Sequence, residues 1–85
     1  MRILYLKRFS KRCKKLPKEI QKLTKEKEKL FRKNPFNPML NTHKLHGLLD
    51  GFYAFSIKYN YRVIFEFADE ETVRFYDIGT HDIYY

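Results

Sequence analysis

The sequence predicts one α+β domain over residues 1–85, with the element order β-α-α-β-β-β. Apolar residues recur every three or four positions in the first part of the chain and alternate in the last part. A loop rich in proline and asparagine separates the two parts. A helix with one apolar stripe and a sheet with one apolar face each need a partner. A helical hairpin is therefore expected to pack on one face of a small, mainly antiparallel sheet.

The N-terminal part of the chain predicts one strand and two helices. The short apolar run Ile3–Leu6 is typical of a strand. An apolar stripe at helical spacing follows it, formed by Phe9, Cys13 and Leu16. Pro17 ends this first helix and suits the start of the next one. The second helix is expected to end at Asn34, because a residue that precedes a proline avoids the helical conformation.

The C-terminal part predicts three antiparallel strands. Its alternating runs are 53–57, 61–67 and 73–75. Asn60 and the acidic segment Asp69–Glu71 mark two tight turns, and such short connections join antiparallel neighbours. The sheet face turned away from the helices is expected to carry Lys58, Arg62, Ile64 and Glu66. On that face Arg62 would be free to meet a ligand.

The positive charge is concentrated in the predicted helical hairpin. Residues 1–34 hold fourteen Lys and Arg against three Glu, a net charge of +11, whereas residues 35–85 have a net charge of −3. A surface with so few acids among its cations attracts polyanions and speeds their encounter. The alternative is a solvated helical surface without a polyanionic partner.

The remaining composition indicates a cytoplasmic protein. The single cysteine, Cys13, cannot form an internal disulfide, which fits a reducing compartment. No apolar stretch is long enough for a membrane span, and the apolar N-terminus is too short for a signal peptide.

Two ionisable residues near the ends of the predicted sheet could support phosphodiester chemistry. The imidazole of His81 can exchange a proton at neutral pH. Metal-free RNA cleavage needs such a group to deprotonate a ribose 2′-hydroxyl or to protonate the leaving 5′-oxygen. Arg62 offers a fork of donors for a phosphate that gains negative charge. The alternatives are a surface histidine in a tail and an arginine paired with Glu66 or Asp77.

Other polar and aromatic side chains have two possible roles each. Tyr84 and Tyr85 could stack on a base or pack the last strand. His43 and His46, with Lys44, could donate to phosphate or lie on a loop surface. Two histidines without a carboxylate or a cysteine nearby are a weak metal signal, so no metal site is expected. No motif for a cofactor is present, and none is predicted.

Four segments occur together in a fixed order. They are Phe9 with Leu16-Pro17, then His43-Lys44-Leu45-His46-Gly47, then Tyr61-Arg62-Val63-Ile64-Phe65, and last Ile78-Gly79-Thr80-His81-Asp82. Together they resemble the RelE/ParE superfamily of bacterial and archaeal toxins over essentially the whole chain. The resemblance implies a toxin of a type II toxin–antitoxin system, usually an mRNA interferase that cleaves messenger RNA on the ribosome without a metal. It also implies a small antitoxin partner, RelB-like, with an acidic or amphipathic segment.

The resemblance implies roles for individual residues. Arg62 matches the arginine of the superfamily's Tyr-Arg strand, which stabilises the phosphate. His81 and His43 match catalytic histidines of YafQ-like members, and Tyr85 matches a C-terminal aromatic residue that positions RNA. Lys44, His46, Lys58 and Tyr84 are expected to bind RNA. RelE itself has several lysines where this chain has only Lys58, which favours a mechanism centred on histidine.

Two alternatives share this fold. A ParE-like toxin inhibits DNA gyrase without cutting RNA, and a catalytically inactive member would bind only nucleic acid or its antitoxin. A gyrase-binding surface needs no proton donor, so the combination of His81 and Tyr85 favours the ribonuclease.

Overall fold

The computed structural model describes residues 1–80, and its elements follow the predicted order with one additional strand. The elements are β1 (Arg2–Tyr5), α1 (Lys7–Lys15), α2 (Lys18–Lys33), β2 (His43–Lys44), β3 (Tyr53–Ser56), β4 (Arg62–Phe67) and β5 (Thr72–Gly79). Two short 3-10 helices, Pro38–Leu40 and Gly47–Leu49, lie in the connections before and after β2. The additional strand is β2, which is too short to show the alternation that predicts a strand.

Pro17 separates the two helices as predicted. Its φ of −54° suits the residue before α2, and it has no N–H with which to continue α1. The amide of Gln21 donates to the carbonyl of Leu16 at 2.8 Å, so a side chain of α2 satisfies a backbone group just beyond α1. Among the described residues, neither helix has the length and apolar character needed to cross a bilayer.

The five strands form one mixed sheet in the order β1-β5-β4-β3-β2. The pairs from β2 to β5 are antiparallel, and β1 is parallel to β5. This arrangement confirms the predicted meander of β3, β4 and β5 and the mainly antiparallel sheet. It also places β5 inside the sheet, between the first strand of the chain and β4.

The main core lies between the helices and the sheet and is built from aromatic rings. The ring of Phe31 from α2 lies 4.9 Å from Phe65 and 5.1 Å from Phe55, measured between centroids. Phe75 of β5 is 5.4 Å from the same ring, and all four side chains are fully buried. Most of these ring pairs meet edge to face or tilted, a favourable arrangement that adds to the stabilisation from burial.

A second apolar cluster covers the opposite face of the sheet. Leu45, Ala54 and Ile64 are buried there, and Leu49, Phe52 and Tyr76 pack against them. The segment after β2 folds back over the sheet, held by a 2.9 Å hydrogen bond from Leu45 N to Phe52 O. Ile64 thus lies on the face away from the helices, as expected, but this segment covers it and leaves it 0% exposed.

The packing of the segment after β2 against the sheet can be tested by measuring the free energy of unfolding. Ile64→Val should lower the free energy of unfolding by about 0.5–1.5 kcal/mol, the usual cost of deleting one buried methyl group. Leu48→Ala deletes more atoms and lies in the covering segment itself, but Leu48 is 97% exposed. Its effect should stay within about 0.5 kcal/mol. Urea unfolding of the two variants measures both values, and a larger loss for Leu48→Ala would contradict this packing.

A β-bulge interrupts the pairing of β4 with β5. Phe65 pairs with Phe75, whereas the preceding residue, Ile64, pairs with Asp77. Tyr76 is therefore the additional residue of the bulge. The bulge shifts the side-chain alternation by one, so that Phe75 and Ile78 both belong to the core under the helices although three positions separate them.

Candidate functional site

Arg62 begins β4 directly after a tight turn. In this turn Tyr59 adopts a left-handed backbone conformation with φ of 54°, and Ile57 N donates to Tyr61 O at 3.0 Å. One terminal nitrogen of Arg62 donates to the carbonyls of Tyr59 at 3.0 Å and Tyr61 at 3.3 Å. These two bonds hold the half-buried side chain over its own turn.

Neither ion pair considered for Arg62 from the sequence is present. Glu66 pairs with Arg74 at 2.8 Å. Asp77 pairs with Arg8 at 2.8 Å and with Arg12 at 3.3 Å. Within residues 1–80, no carboxylate lies within salt-bridge distance of Arg62. Its charge is therefore not neutralised by any acid in this part of the chain.

The pairing of the strands places Arg62 beside the end of β5. Arg62 pairs with Ser56 of β3 on one side and with Gly79 of β5 on the other. The sequence then runs through Thr80 to His81. His81, Tyr84 and Tyr85 lie outside the described residues, so their roles remain predictions.

His43 lies on the same face of the sheet as Arg62. It pairs with Ala54, which pairs with Ile64, two residues along β4 from Arg62. Two strand spacings and two residues along the strand put the Cα atoms of His43 and Arg62 roughly 12 Å apart. The ring nitrogen Nδ1 of His43 lies 3.0 Å from the carbonyl of Asn41. Because a carbonyl only accepts, Nδ1 is the donor, and this contact leaves Nε2 of the exposed side chain available.

Lys44 and His46 do not join His43 in one cluster of donors. Lys44 pairs with Tyr53, whose side chain packs against the core under the helices, so Lys44 lies on the opposite face from His43. His46 precedes the second 3-10 helix, and both side chains are exposed. All three side chains are exposed, and those of His43 and Lys44 lie on opposite faces of the sheet.

Lys58 does not lie on the face where the alternation of β3 predicts it. The strand ends at Ser56, and Lys58 is part of the turn before Arg62. Its ammonium group donates to Glu19 of α2 at 3.0 Å and lies 4.9 Å from the centroid of the Tyr59 ring. The hydrogen bond to Glu19 is the main reason why the pKa of Lys58 is raised, so the side chain is charged at neutral pH.

An open cleft of about 500 Å³ lies between the end of α1 and the strand ends beside Arg62. Its lining residues are Arg12, Lys15, Leu16, Tyr61, Ile78, Gly79 and Thr80. Gly79 lines the cleft and pairs with Arg62, so the backbone of Arg62 lies beside the cleft. Tyr61 and Ile78 belong to the core under the helices, so the cleft opens on that face of the sheet and the Arg62 side chain lies on the other face. Sequence reasoning recognised a basic helix but did not single out Arg12 and Lys15. The signal that could have found them is Asp77, the one acid in an otherwise apolar and basic strand.

The described part of the site offers cations, an imidazole and a phenol. Across residues 1–80, no group of three His, Cys, Asp or Glu side chains is placed to hold a metal ion. The cations among these groups can bind a phosphate.

Comparison with known proteins gives the family. The family model of the YafQ bacterial toxin of type II toxin–antitoxin systems matches residues 1–84. No curated protein matches the chain in sequence.

Solved structures of toxins share the fold. YafQ from E. coli strain BL21(DE3) has a TM-score of 0.82 at 22% identity, covering 100% of this chain and 99% of that one. The YoeB/ParE toxin from Agrobacterium tumefaciens has a TM-score of 0.80 at 10% identity, covering 95% and 99%. The E. coli DinJ–YafQ toxin–antitoxin complex has a TM-score of 0.77 at 22% identity, covering 95% and 92%. The predicted fold and the resemblance to the RelE/ParE superfamily are confirmed, and the chain belongs to the YafQ family of type II toxin–antitoxin toxins.

Proposed function

We propose that this toxin is an endoribonuclease that cleaves mRNA on the ribosome by attack of a ribose 2′-hydroxyl on the neighbouring phosphate. The observation that carries the proposal is Arg62, whose charge has no carboxylate partner within residues 1–80. The acids of β4 and β5, Glu66 and Asp77, are already paired with other arginines. A guanidinium that is held in place and has no acid partner suits a phosphate whose negative charge grows in the transition state.

The proton transfers are assigned to histidines. His81 is the proposed general acid or base, since its imidazole exchanges protons at neutral pH without a metal. His43 assists from the same face as Arg62, with Nε2 available because Nδ1 is bonded to a carbonyl. The separation between the backbones of His43 and Arg62 leaves room for a nucleotide between their side chains.

The remaining predicted residues are assigned to RNA binding. Tyr85 and Tyr84 orient the substrate by stacking on bases. Lys44, His46 and Lys58 contact phosphates around the site. Lys44 lies on an edge strand, His46 in a connection and Lys58 in a turn beside α2, so each would meet a different part of the RNA.

A small antitoxin is the proposed protein partner. One of the similar structures is the complex of E. coli YafQ with the antitoxin DinJ. The net charge of +11 in residues 1–34 suits an acidic or amphipathic segment, disordered when alone, in a RelB-like partner. Toxin, antitoxin and ribosome would meet in the cytoplasm. A neighbouring gene that encodes no small acidic or DNA-binding protein would remove most of the support for this partner.

Purified toxin added to a translating extract should cut the mRNA within its coding sequence. Primer extension on the recovered RNA locates the cuts, and a 2′,3′-cyclic phosphate at the new end would support the 2′-hydroxyl route. The same protein is tested in a gyrase supercoiling assay. Intact mRNA together with inhibited supercoiling would replace the ribonuclease with a gyrase inhibitor. No effect in either assay would leave an inactive binding protein.

A further inference from the structure

The carboxylate of Asp77 is fully buried, yet it is not part of the proposed catalytic group. Its oxygens accept hydrogen bonds from Arg8 Nε and from the backbone N–H of Ile78, both at 2.8 Å. Arg12 Nε lies 3.3 Å from Oδ1. A buried charge is tolerated only when it is well paired, and here two arginines one turn apart on α1 serve one acid. The acid thereby holds one face of α1 against the bulge of β5.

This contact holds the Arg12 side chain in place and leaves its terminal nitrogens available. The contact with Asp77 uses Nε, which carries one of the five N–H donors of the arginine side chain. Among residues 1–80, no acceptor lies within hydrogen-bond distance of its terminal nitrogens, and the side chain is 47% exposed. These nitrogens belong to a residue that lines the cleft next to Lys15. A fixed, partly exposed guanidinium of this kind suits bidentate binding of an anion.

The other wall of the cleft suits a nucleotide. Tyr61 is half-buried and supplies an aromatic surface on which a base can stack. Gly79 on the same wall pairs with Arg62, whose side chain lies on the other face of the sheet. An RNA strand that crosses these strand ends would reach both the guanidinium of Arg62 and the cleft. The cleft at about 500 Å³ has room for more than a phosphate group.

We propose that Arg12 and Lys15 bind a backbone phosphate of the RNA other than the one contacted by Arg62, and that Asp77 is the positioning residue that holds Arg12 in the cleft. The proposal rests on the proposed function and extends the site from the sheet to α1. In this arrangement the two cations contact the substrate directly, whereas Asp77 acts only through Arg12.

Binding is measured by fluorescence anisotropy with a short single-stranded oligoribonucleotide carrying 2′-O-methyl groups, which prevent attack by the 2′-oxygen. Arg12→Ala should weaken binding by about tenfold, as expected for loss of a charge-assisted hydrogen bond. The slope of log K against log salt should fall by about 0.7 for one lost phosphate contact. Lys15→Ala should have a similar effect on the slope.

Lys11→Ala is the matched control, because it removes the same charge from α1 at an exposed residue that does not line the cleft. Its effect on affinity should stay below about threefold, since an exposed, unpositioned charge contributes mainly long-range attraction that salt screens. If Arg12→Ala binds as tightly as Lys11→Ala, the proposed cleft is wrong.

Asp77→Asn separates positioning from charge. The substitution raises the net charge from +8 to +9, so attraction alone would tighten RNA binding. Loss of positioning should instead weaken binding several-fold, and the double variant with Arg12→Ala should bind no more weakly than Arg12→Ala. Tighter binding by a folded Asp77→Asn protein would overturn the role of Asp77. If circular dichroism shows that this variant is unfolded, Asp77→Glu replaces it, and the Arg12 and Lys11 pair still decides the cleft.

The outcomes also separate this proposal from the ribonuclease. If the wild-type protein cleaves mRNA and Arg12→Ala binds RNA as tightly as Lys11→Ala, the ribonuclease activity is supported and the proposed phosphate site in the cleft is contradicted. If Arg12→Ala binds RNA more weakly but the wild-type protein cleaves no mRNA, the phosphate site in the cleft is supported and the ribonuclease activity is contradicted.

Discussion

Arg62→Ala is expected to lower the rate of mRNA cleavage by about 10²–10³-fold, the usual effect of removing one fixed donor to a transition-state charge. The structure favours an effect of this size because the side chain is half-buried and two backbone carbonyls hold it in place. A donor that is already oriented stabilises charge without having to reorganise during the reaction. The measurement is the initial rate of cleavage in the translating extract, at equal concentrations of folded protein.

Two further arginine variants control this experiment. Arg62→Lys keeps the charge but has no planar fork, so it should restore only part of the rate. Arg74→Ala removes an arginine from the same sheet that is already paired with Glu66, and its rate should stay within about threefold of wild type. Equal losses in Arg62→Ala and Arg74→Ala would mean that cleavage depends on total charge or stability and not on this arginine.

His81→Ala is expected to slow cleavage by about 10²–10⁴-fold, the range for losing a general acid or base. The part of the pH–rate profile between pH 5 and 8 that reflects an imidazole should disappear with it. Binding of the 2′-O-methyl oligoribonucleotide should change little, because proton transfer contributes to the transition state and not to the ground-state complex. The measurement pairs single-turnover rates with anisotropy.

The other two histidines provide the comparison for His81. His43→Ala should slow cleavage less, by roughly tenfold, because an assisting group contributes less than the proton donor or acceptor itself. His46→Ala should lose less still, since its side chain is exposed and lies outside the strands. A wild-type rate in His81→Ala, with a large loss in His43→Ala, would move the proton transfer to His43.

Long periodic segments could be predicted from the sequence because burial dictates their pattern. The helix over 18–33 and the strand over 62–67 each repeat their apolar positions often enough to fix both type and face. The parts that could not be predicted depend on partners distant in sequence. Two-residue β2 exists only because β3 pairs with it, and the parallel contact of β1 with β5 joins residues about seventy positions apart.

The candidate site shows the same limit. Alternation correctly placed Arg62 on the face away from the helices, since its pairing with Ser56 keeps it in phase with the strand. Lys58 departs from that pattern because the strand has already ended, and an ion pair with Glu19 then decides its position. Asp77 looked like a partner for Arg62, but the bulge aligns it with Arg8 and Arg12, and no local pattern reports a bulge.

The parallel contact between β1 and β5 has a consequence for when the molecule becomes competent during its synthesis. β1 pairs with no strand other than β5 within the described residues, and the cations of α1 face Asp77, 69 positions after Arg8. In a chain that is synthesised from its N-terminus, the wall of the cleft formed by α1 therefore has no opposite wall until β5 has been made. The toxin can begin to fold its helices on the ribosome, but it cannot assemble a complete cleft until β5 has emerged.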